Sequence, residues 1–294
     1  MSRRLATLIL IFASIVWGFA FIAQKSAMES LEPLSFIAAR CLLGGLAVLP
    51  IALFERRSRR TPIEARDWRL IGLASVAFFL ASWLQQQGLI TTTATNGGFL
   101  TGLYVLFVPA ILLIGVRIRP HPIIWASTLL ALLGLYLLNG ARLDRFAVGD
   151  ALIVGSALFW ALHVLLLGHL VRLTARPIFV SAVIFLLAGV YSALGAAATE
   201  TVTLEAFRLG WVEIAYVAFV STAIGFTCQA IGQQHVPPAN AAIIMSAEAL
   251  FAALGGALIL GERLPGIGYA GAALIFLAIV LVEIVPLTRR PRQA

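Results

Sequence analysis

The chain repeats itself. A shift of 144 positions lays Gln85 on Gln229, Gly88 on Gly232, Asn96 on Asn240, Phe107 on Phe251 and Arg119 on Arg263. Each copy holds five apolar segments, and five is odd. A unit that crosses a membrane an odd number of times delivers its successor to the opposite side, so the second copy is inverted relative to the first. Inverted repeats are the ground plan of many secondary transporters. The expected units are residues 1–143 and 144–294.

Apolar residues make up 61% of the 294 and charged residues 12%, with a mean hydropathy of +0.99. A soluble domain of this size needs far more charge to cover its surface. The apolar stretches fall at 5–27, 34–54, 69–89, 94–115, 122–140, 149–170, 177–198, 209–233, 239–260 and 265–287. Each is about the length of a bilayer crossing. The fold class is therefore an all-α integral membrane protein, with ten transmembrane helices as two inverted five-helix repeats. Met1-Ser2-Arg3-Arg4 and the apolar run behind it resemble a signal peptide. The run is too long and lacks a small-residue cleavage site, so it reads as the first span.

The net charge of +8 sits in short loops, where the positive-inside rule uses it. With the N-terminus in the cytoplasm, fifteen of the 21 basic residues fall on that side and five on the other. Arg40 lies within span 2. Arg56, Arg57, Arg59 and Arg60 form a topology anchor, and no nucleic-acid partner is expected. Arg119 and Arg263, although repeat mates, land on opposite sides, as inversion requires. Cys41 and Cys228 lie inside spans, where packing rather than a disulfide is the ordinary use.

Ionisable and amide side chains in the spans are the site candidates. Glu248 lies well inside span 9, on a face continued by Phe251, Ala252 and Gly255; its mate in span 4 is Tyr104. It reads either as a cavity carboxylate for a substrate ammonium or a proton, or as a carboxylate hydrogen-bonded to neighbouring helices. His163 shares a helix face with Trp160, three residues before it, either on a solute path or in helix packing. Trp17 precedes Trp160 by 143 residues, so the two indoles are near mates that can flank a central cavity. Gln85 and Gln229 are mates whose amides can bind a polar solute or join helices. Arg40 either counters a carboxylate or reaches for a headgroup, the structural role being favoured. Pro109 interrupts span 4, and Gly255-Gly256 soften span 9 near the matching position; such paired interruptions point to the binding site. No metal-ligand spacing, phosphate loop or nucleophile elbow is present, so neither an enzyme nor a cofactor is expected.

Three segments resemble the EamA repeat of the drug/metabolite transporter superfamily. Ala13-Ser14-Ile15-Val16-Trp17-Gly18-Phe19-Ala20-Phe21 looks like the repeat's opening. Thr93-Ala94-Thr95-Asn96-Gly97-Gly98-Phe99-Leu100, running to Phe107-Val108-Pro109, resembles its passage from third to fourth helix. Ser246-Ala247-Glu248-Ala249-Leu250-Phe251-Ala252-Ala253-Leu254, followed by Leu260-Gly261-Glu262-Arg263-Leu264, resembles its fourth helix and closing motif. The chain departs from the family in having Ala249 where proline is frequent, and in having Tyr104 and Ile118 opposite Glu248 and Glu262. The resemblance implies a ten-helix carrier with cytoplasmic termini that exports small metabolites by alternating access. In length and layout it is most like the bacterial amino-acid exporters of the YddG type.

The expected function is a secondary transporter that exports amino acids and related small metabolites, or facilitates their passage, across the inner membrane. So few charges in the spans suit a neutral or zwitterionic solute better than a phosphate ester. The candidate substrate-binding residues are Trp17, Gln85, Tyr104, Trp160, His163, Gln229 and Glu248. The alternatives are a carrier of drugs, nucleosides or sugar derivatives and, from other classes, an intramembrane enzyme or a membrane scaffold.

Overall fold

The computed structural model describes residues 1–58, 62–141, 147–261 and 266–288. Among the described residues every regular element is helical. Nine helices are long and apolar enough to cross a membrane. They are α1 Arg3–Ala27, α2 Pro33–Ser58, α3 Ala65–Leu89, α4 Ala94–Ile114, α6 Val148–Thr174, α7 Pro177–Thr199, α8 Trp211–Gln233, α9 Pro238–Ile259 and α10 Gly266–Ile284. The tenth apolar helix, α5 Pro122–Leu138, has only 17 residues. This is an all-α integral membrane protein. The basic residues Arg59, Arg60, Arg142, Arg145, Arg263, Arg289, Arg290 and Arg292, together with Glu262 and Pro265, lie outside the described residues, so the opposition of Arg119 and Arg263 is not seen directly.

Local chemistry sets the helix starts. Pro33 and Pro177, themselves repeat mates, are the first helical residues of α2 and α7, where a missing N–H is harmless and φ is preset. Oγ of Ser2 accepts from Leu5 N, and Oγ1 of Thr93 accepts from Asn96 N, each capping a helix start. Asp67 and Asp150 reach back to the backbone N–H groups of Glu64 and Ala147.

The two halves meet on a pseudo-two-fold axis, best seen where α2 crosses its own mate α7. Leu186 sits over Gly45 and Leu42 over Gly189, and both contacts are related by 144 positions. A Cβ at Gly45 would stand 2.9 Å from Leu186 Cδ2, and one at Gly189 2.8 Å from Leu42 Cδ2. Lipid tails are as apolar as leucine, so close approach at small residues supplies the attraction that hydrophobicity cannot. The crossing is antiparallel, because the start of each helix is capped from the end of the other. The Glu200 carboxylate accepts from Leu34 N, Ser35 N and Ser35 Oγ, each at 2.7 Å. Glu55 Oε2 accepts from Phe179 N at 2.8 Å. Both carboxylates face helix N-termini, where negative charge is favoured. Mates that run antiparallel are related by an axis perpendicular to them, which lies in the membrane plane.

The remaining packing obeys the same axis. α5 packs on its mate α10; α3 packs on α6 as α8 packs on α1; and α4 packs on α6 as α9 packs on α1. Polar clusters tie down the starts of α4 and α9 at opposite faces. On one, Asp150 Oδ1 accepts from Thr92 Oγ1 and Asn96 Nδ2, while Asn139 Nδ2 donates to Asn96 Oδ1. On the other, Asn240 Nδ2 donates to Val282 O, and Glu283 is paired with Arg3 at 3.2 Å and accepts from Thr7 Oγ1. Asn96 with Asn240 and Asn139 with Glu283 are mates.

Helices α4 and α9 are both broken, though not where proline and glycine suggest. The α-helix runs unbroken through Pro109 and through Gly255-Gly256. The breaks fall at Gly102-Leu103 and Ser246-Ala247, which are mates. At each, the chain tightens into i→i+3 hydrogen bonds: Val105 N to Gly102 O in α4, and Ala249 N to Ser246 O in α9. Pro109 is accommodated because the Val105 carbonyl it leaves free accepts from Thr128 Oγ1 of α5. In α9, Ser246 Oγ donates back to Ile243 O, a bond that bends helices. The first residue after each break is Tyr104 in α4 and Glu248 in α9. A third irregularity has no mate: residues Tyr216–Phe226 of α8 wind as a π-helix.

Filling the crossing should damage the fold selectively. Gly45→Val or Gly189→Val is expected to cost about 1–3 kcal/mol through overpacking. Gly72→Ala, which meets no atom within 4 Å, should be neutral or slightly stabilising. Thermal melts of the three variants in detergent check this; equal melting temperatures would remove the crossing from its central place.

Candidate functional site

Where the breaks in α4 and α9 meet α1, α2, α3, α6 and α8, the axis passes through a cavity of about 40 Å³. That is room for about three ordered waters. Every side chain lining it is less than 9% exposed, so the cavity lies deep among the helices. A solute of amino-acid size enters only when the surrounding helices part.

Gly18 in α1 brings the walls together. A Cβ there would stand 2.7 Å from both Glu248 O and Ala252 N, so only glycine lets α1 lie against α9. The neighbouring Trp17 then shares the cavity with Glu248. Its indole Nε1 donates to Ser221 O of the π-helical stretch at 3.3 Å. Phe226 lies between the two indoles, with ring centroids 4.6 Å from Trp17 and 5.5 Å from Trp160, stacked on the latter. The result is a three-ring aromatic wall built from α1, α8 and α6.

The polar residues break the symmetry. In the first half, Gln85 Nε2 donates to Thr101 Oγ1 at 3.0 Å. The mate of Thr101 is Met245, and without a hydroxyl there Gln229 Oε1 has no hydrogen-bond partner among the described residues. At the breaks, Tyr104 and its mate Glu248 both line the cavity, close enough to interact, and neither Tyr104 Oη nor Glu248 Oε1 has a partner in full hydrogen-bond geometry among the described residues. Trp160 Nε1 is unpartnered as well. Buried polar atoms are ordinarily satisfied. With Arg40 Nε, five side-chain atoms around this cavity have no hydrogen-bond partner among the described residues.

The structure gathers six of the seven candidates from the sequence, Trp17, Gln85, Tyr104, Trp160, Gln229 and Glu248, around this cavity. It leaves His163 out. That imidazole stands behind the wall, edge-on to Phe78 at 5.1 Å and to Phe226 at 6.3 Å. Three residues on from Trp160 is about 60° round the helix, away from the cavity; Val164, four residues on and about 40° the other way, lines it. Periodicity from Trp17 would have found Phe21 and Gln24, which continue its face at four and seven positions. Thr101 follows in the same way, one turn before Tyr104. Arg40 also lines the cavity, and at 2% exposed it does not reach for a headgroup. Ser221, Phe226 and Met245 owe their places to the contacts between halves, which helix spacing does not encode.

A family model described as "EamA-like transporter family" matches residues 4–140 and again residues 147–284. An uncharacterized transporter of Archaeoglobus fulgidus is 30% identical over 286 residues, covering 96% of this chain and 87% of that protein. The uncharacterized transporter YwfM of Bacillus subtilis is 26% identical over 311 aligned positions, covering 100% of this chain and 99% of that protein. An S-adenosylmethionine/S-adenosylhomocysteine transporter of Chlamydia muridarum is 28% identical over 98 residues, a stretch that covers 33% of this chain and 30% of that protein. A solved crystal structure 20% identical in sequence superposes with a TM-score of 0.78, over 99% of this chain and 100% of that one, and shows the same fold.

The unequal glutamines give opposite expectations for stability. Thr101→Val strands the Gln85 amide and should cost about 1–3 kcal/mol. Gln229→Met removes an acceptor that is already unsatisfied, so it should leave stability level or raise it. Thermal melts of both variants check the pair; a larger loss at Gln229 would mean that its amide is satisfied.

Proposed function

The chain belongs to the EamA-like transporter family of the drug/metabolite transporter superfamily, and from that premise we propose that it passes amino acids and related small metabolites across the bacterial inner membrane by alternating access, as an exporter or facilitator. The observation that carries this reading is the buried cavity between the two halves, walled by three aromatic rings and edged with unsatisfied polar atoms. Its polar groups suit a small solute with hydrogen-bonding ends, and its rings suit an apolar or aromatic side chain. Nothing in the lining gathers several cations as a phosphate ester would require: Arg40 is the lone basic residue among those described there. The loop charges of the sequence favour cytoplasmic termini.

In alternating access, opening on one face breaks the Asp150 cluster at the start of α4 while the Glu283 cluster at the start of α9 holds. Opening on the other face reverses this. Because the two clusters share the mate pairs Asn96–Asn240 and Asn139–Glu283, one hinge motion serves both directions, mirrored through the axis.

A second reading draws on the S-adenosylmethionine/S-adenosylhomocysteine transporter among the relatives. S-adenosylmethionine ends in an α-amino acid group and carries an adenine that could stack on the indoles. It would use the same cavity, opened wider.

Proteoliposomes containing the purified protein and loaded with labelled leucine or phenylalanine should release them faster than empty liposomes do. Trp160→Ala should slow that release at least tenfold. Labelled S-adenosylmethionine, loaded in the same way, separates the two readings. Movement of S-adenosylmethionine without movement of either amino acid would transfer the function to the second.

A further inference from the structure

The cavity contains one positive and one negative side chain that do not pair with each other. Arg40 donates from Nη1 to Thr222 Oγ1 at 3.3 Å and from Nη2 to Ser82 Oγ at 2.9 Å. Its Nε has no partner, and among the described residues no carboxylate oxygen lies within 4.0 Å of it. Its other neighbour is the face of Phe78, 5.9 Å from the guanidinium carbon. Hydroxyls and a ring supply geometry but no counter-charge. Glu248, across the break in α9, has an unpartnered Oε1 and no cation within the same distance.

Depth in the membrane makes this arrangement costly unless it is used. The α2–α7 crossing at Leu42, Gly45, Leu186 and Gly189 lies on the in-plane axis, hence near mid-membrane. Arg40 is about one helical turn from that point, too deep to reach water along its own side chain. A guanidinium has no neutral form available at physiological pH, so its charge is held deep in the membrane with no carboxylate in contact among the described residues. Nor does the symmetry demand it: the mate of Arg40 is Ile184, and the mate of Glu248 is Tyr104. The charges occur once each, in different halves, at one cavity.

We infer that Arg40 anchors the carboxylate and Glu248 the ammonium of a single zwitterionic substrate, held in one orientation across the two-fold axis. The free Nε–H and the remaining Nη–H of Arg40 present the fork that a carboxylate accepts in two parallel bonds. Glu248 Oε1 accepts from the ammonium, with Tyr104 Oη beside it. The side chain of the substrate is left to the wall of Trp17, Phe226 and Trp160. This assignment rests on the proposed function and adds to it an orientation and two specificity-determining residues.

Capped analogues test each end. Leucine, leucinamide, N-acetylleucine and isopentylamine are compared as competitors of labelled leucine uptake into proteoliposomes. The wild-type protein should favour leucine at least tenfold over each of the other three. Arg40→Gln should erase the preference over leucinamide and keep that over N-acetylleucine; Glu248→Gln should do the reverse. Because the wild-type series needs no variant to fold, it decides alone if either substitution fails. Equal competition by leucinamide and leucine on the wild-type protein would overturn the role of Arg40, and equal competition by N-acetylleucine that of Glu248. Were the two residues merely each other's counter-ion, the double variant Arg40→Gln/Glu248→Gln would recover transport with the wild-type preferences intact, which also overturns the assignment. Absence of any leucine movement, with another solute carried, instead removes the proposed function itself.

Discussion

The reciprocal seating of Leu42 on Gly189 and of Leu186 on Gly45 fixes the axis about which the rest of the molecule is arranged. Each half alone would expose its open face to lipid, with no hydrophobic penalty to drive closure. Close contact at small residues brings α2 against α7, and the carboxylates of Glu200 and Glu55 lock the ends by satisfying the other helix's first N–H groups. Once that crossing is set, the axis dictates that α3 and α8, α4 and α9, and α1 and α6 converge on one central space. The cavity is a consequence of the repeat before it is a feature of any one residue.

At the cavity the repeat disagrees with itself. Thr101 satisfies Gln85, while Met245 leaves Gln229 wanting. Tyr104 is neutral, while Glu248 is acidic; Arg40 is basic, while Ile184 is apolar. Ser82 and Phe226 are mates, as are Phe78 and Thr222; Arg40 takes a hydroxyl from each of α3 and α8 and the ring of Phe78, against which Phe226 packs. The mismatches at Met245, Tyr104, Glu248 and Arg40 leave buried polar atoms without a partner among the described residues. Stability alone gives no reason to keep them, whereas a ligand with complementary ends does.

Much of the fold was legible in the sequence because a bilayer imposes simple rules. Span length, apolar composition and the odd-numbered repeat lead directly to the helical architecture, and the ten apolar helices lie close to the expected ranges. The breaks were harder to place. Pro109 and Gly255-Gly256 were the obvious signals, yet Thr128 repairs the first, and the glycines lie in continuous helix. The actual breaks, at Gly102-Leu103 and Ser246-Ala247, carry only a glycine and a back-bonding serine. The site was partly legible for a related reason. Polar residue type marks what is costly in lipid, which picked out Glu248 and the glutamines. Which face a residue presents depends on the opposing half, which helix spacing does not encode: Trp160 lines the cavity and His163 does not, although the two lie three residues apart.

The account stands on the halves being inverted, and sidedness at a mate pair measures that directly. Thr91 and His235 are mates 144 positions apart, both exposed, after α3 and after α8. Single cysteines are placed there in a protein whose Cys41 and Cys228 have been replaced, and a membrane-impermeant maleimide is added to one side of sealed vesicles. The prediction is that each side labels one position and spares the other: Thr91→Cys from the outside and His235→Cys from the cytoplasmic side. Labelling of both from the same side would contradict the inverted repeat and, with it, the shared cavity on its axis.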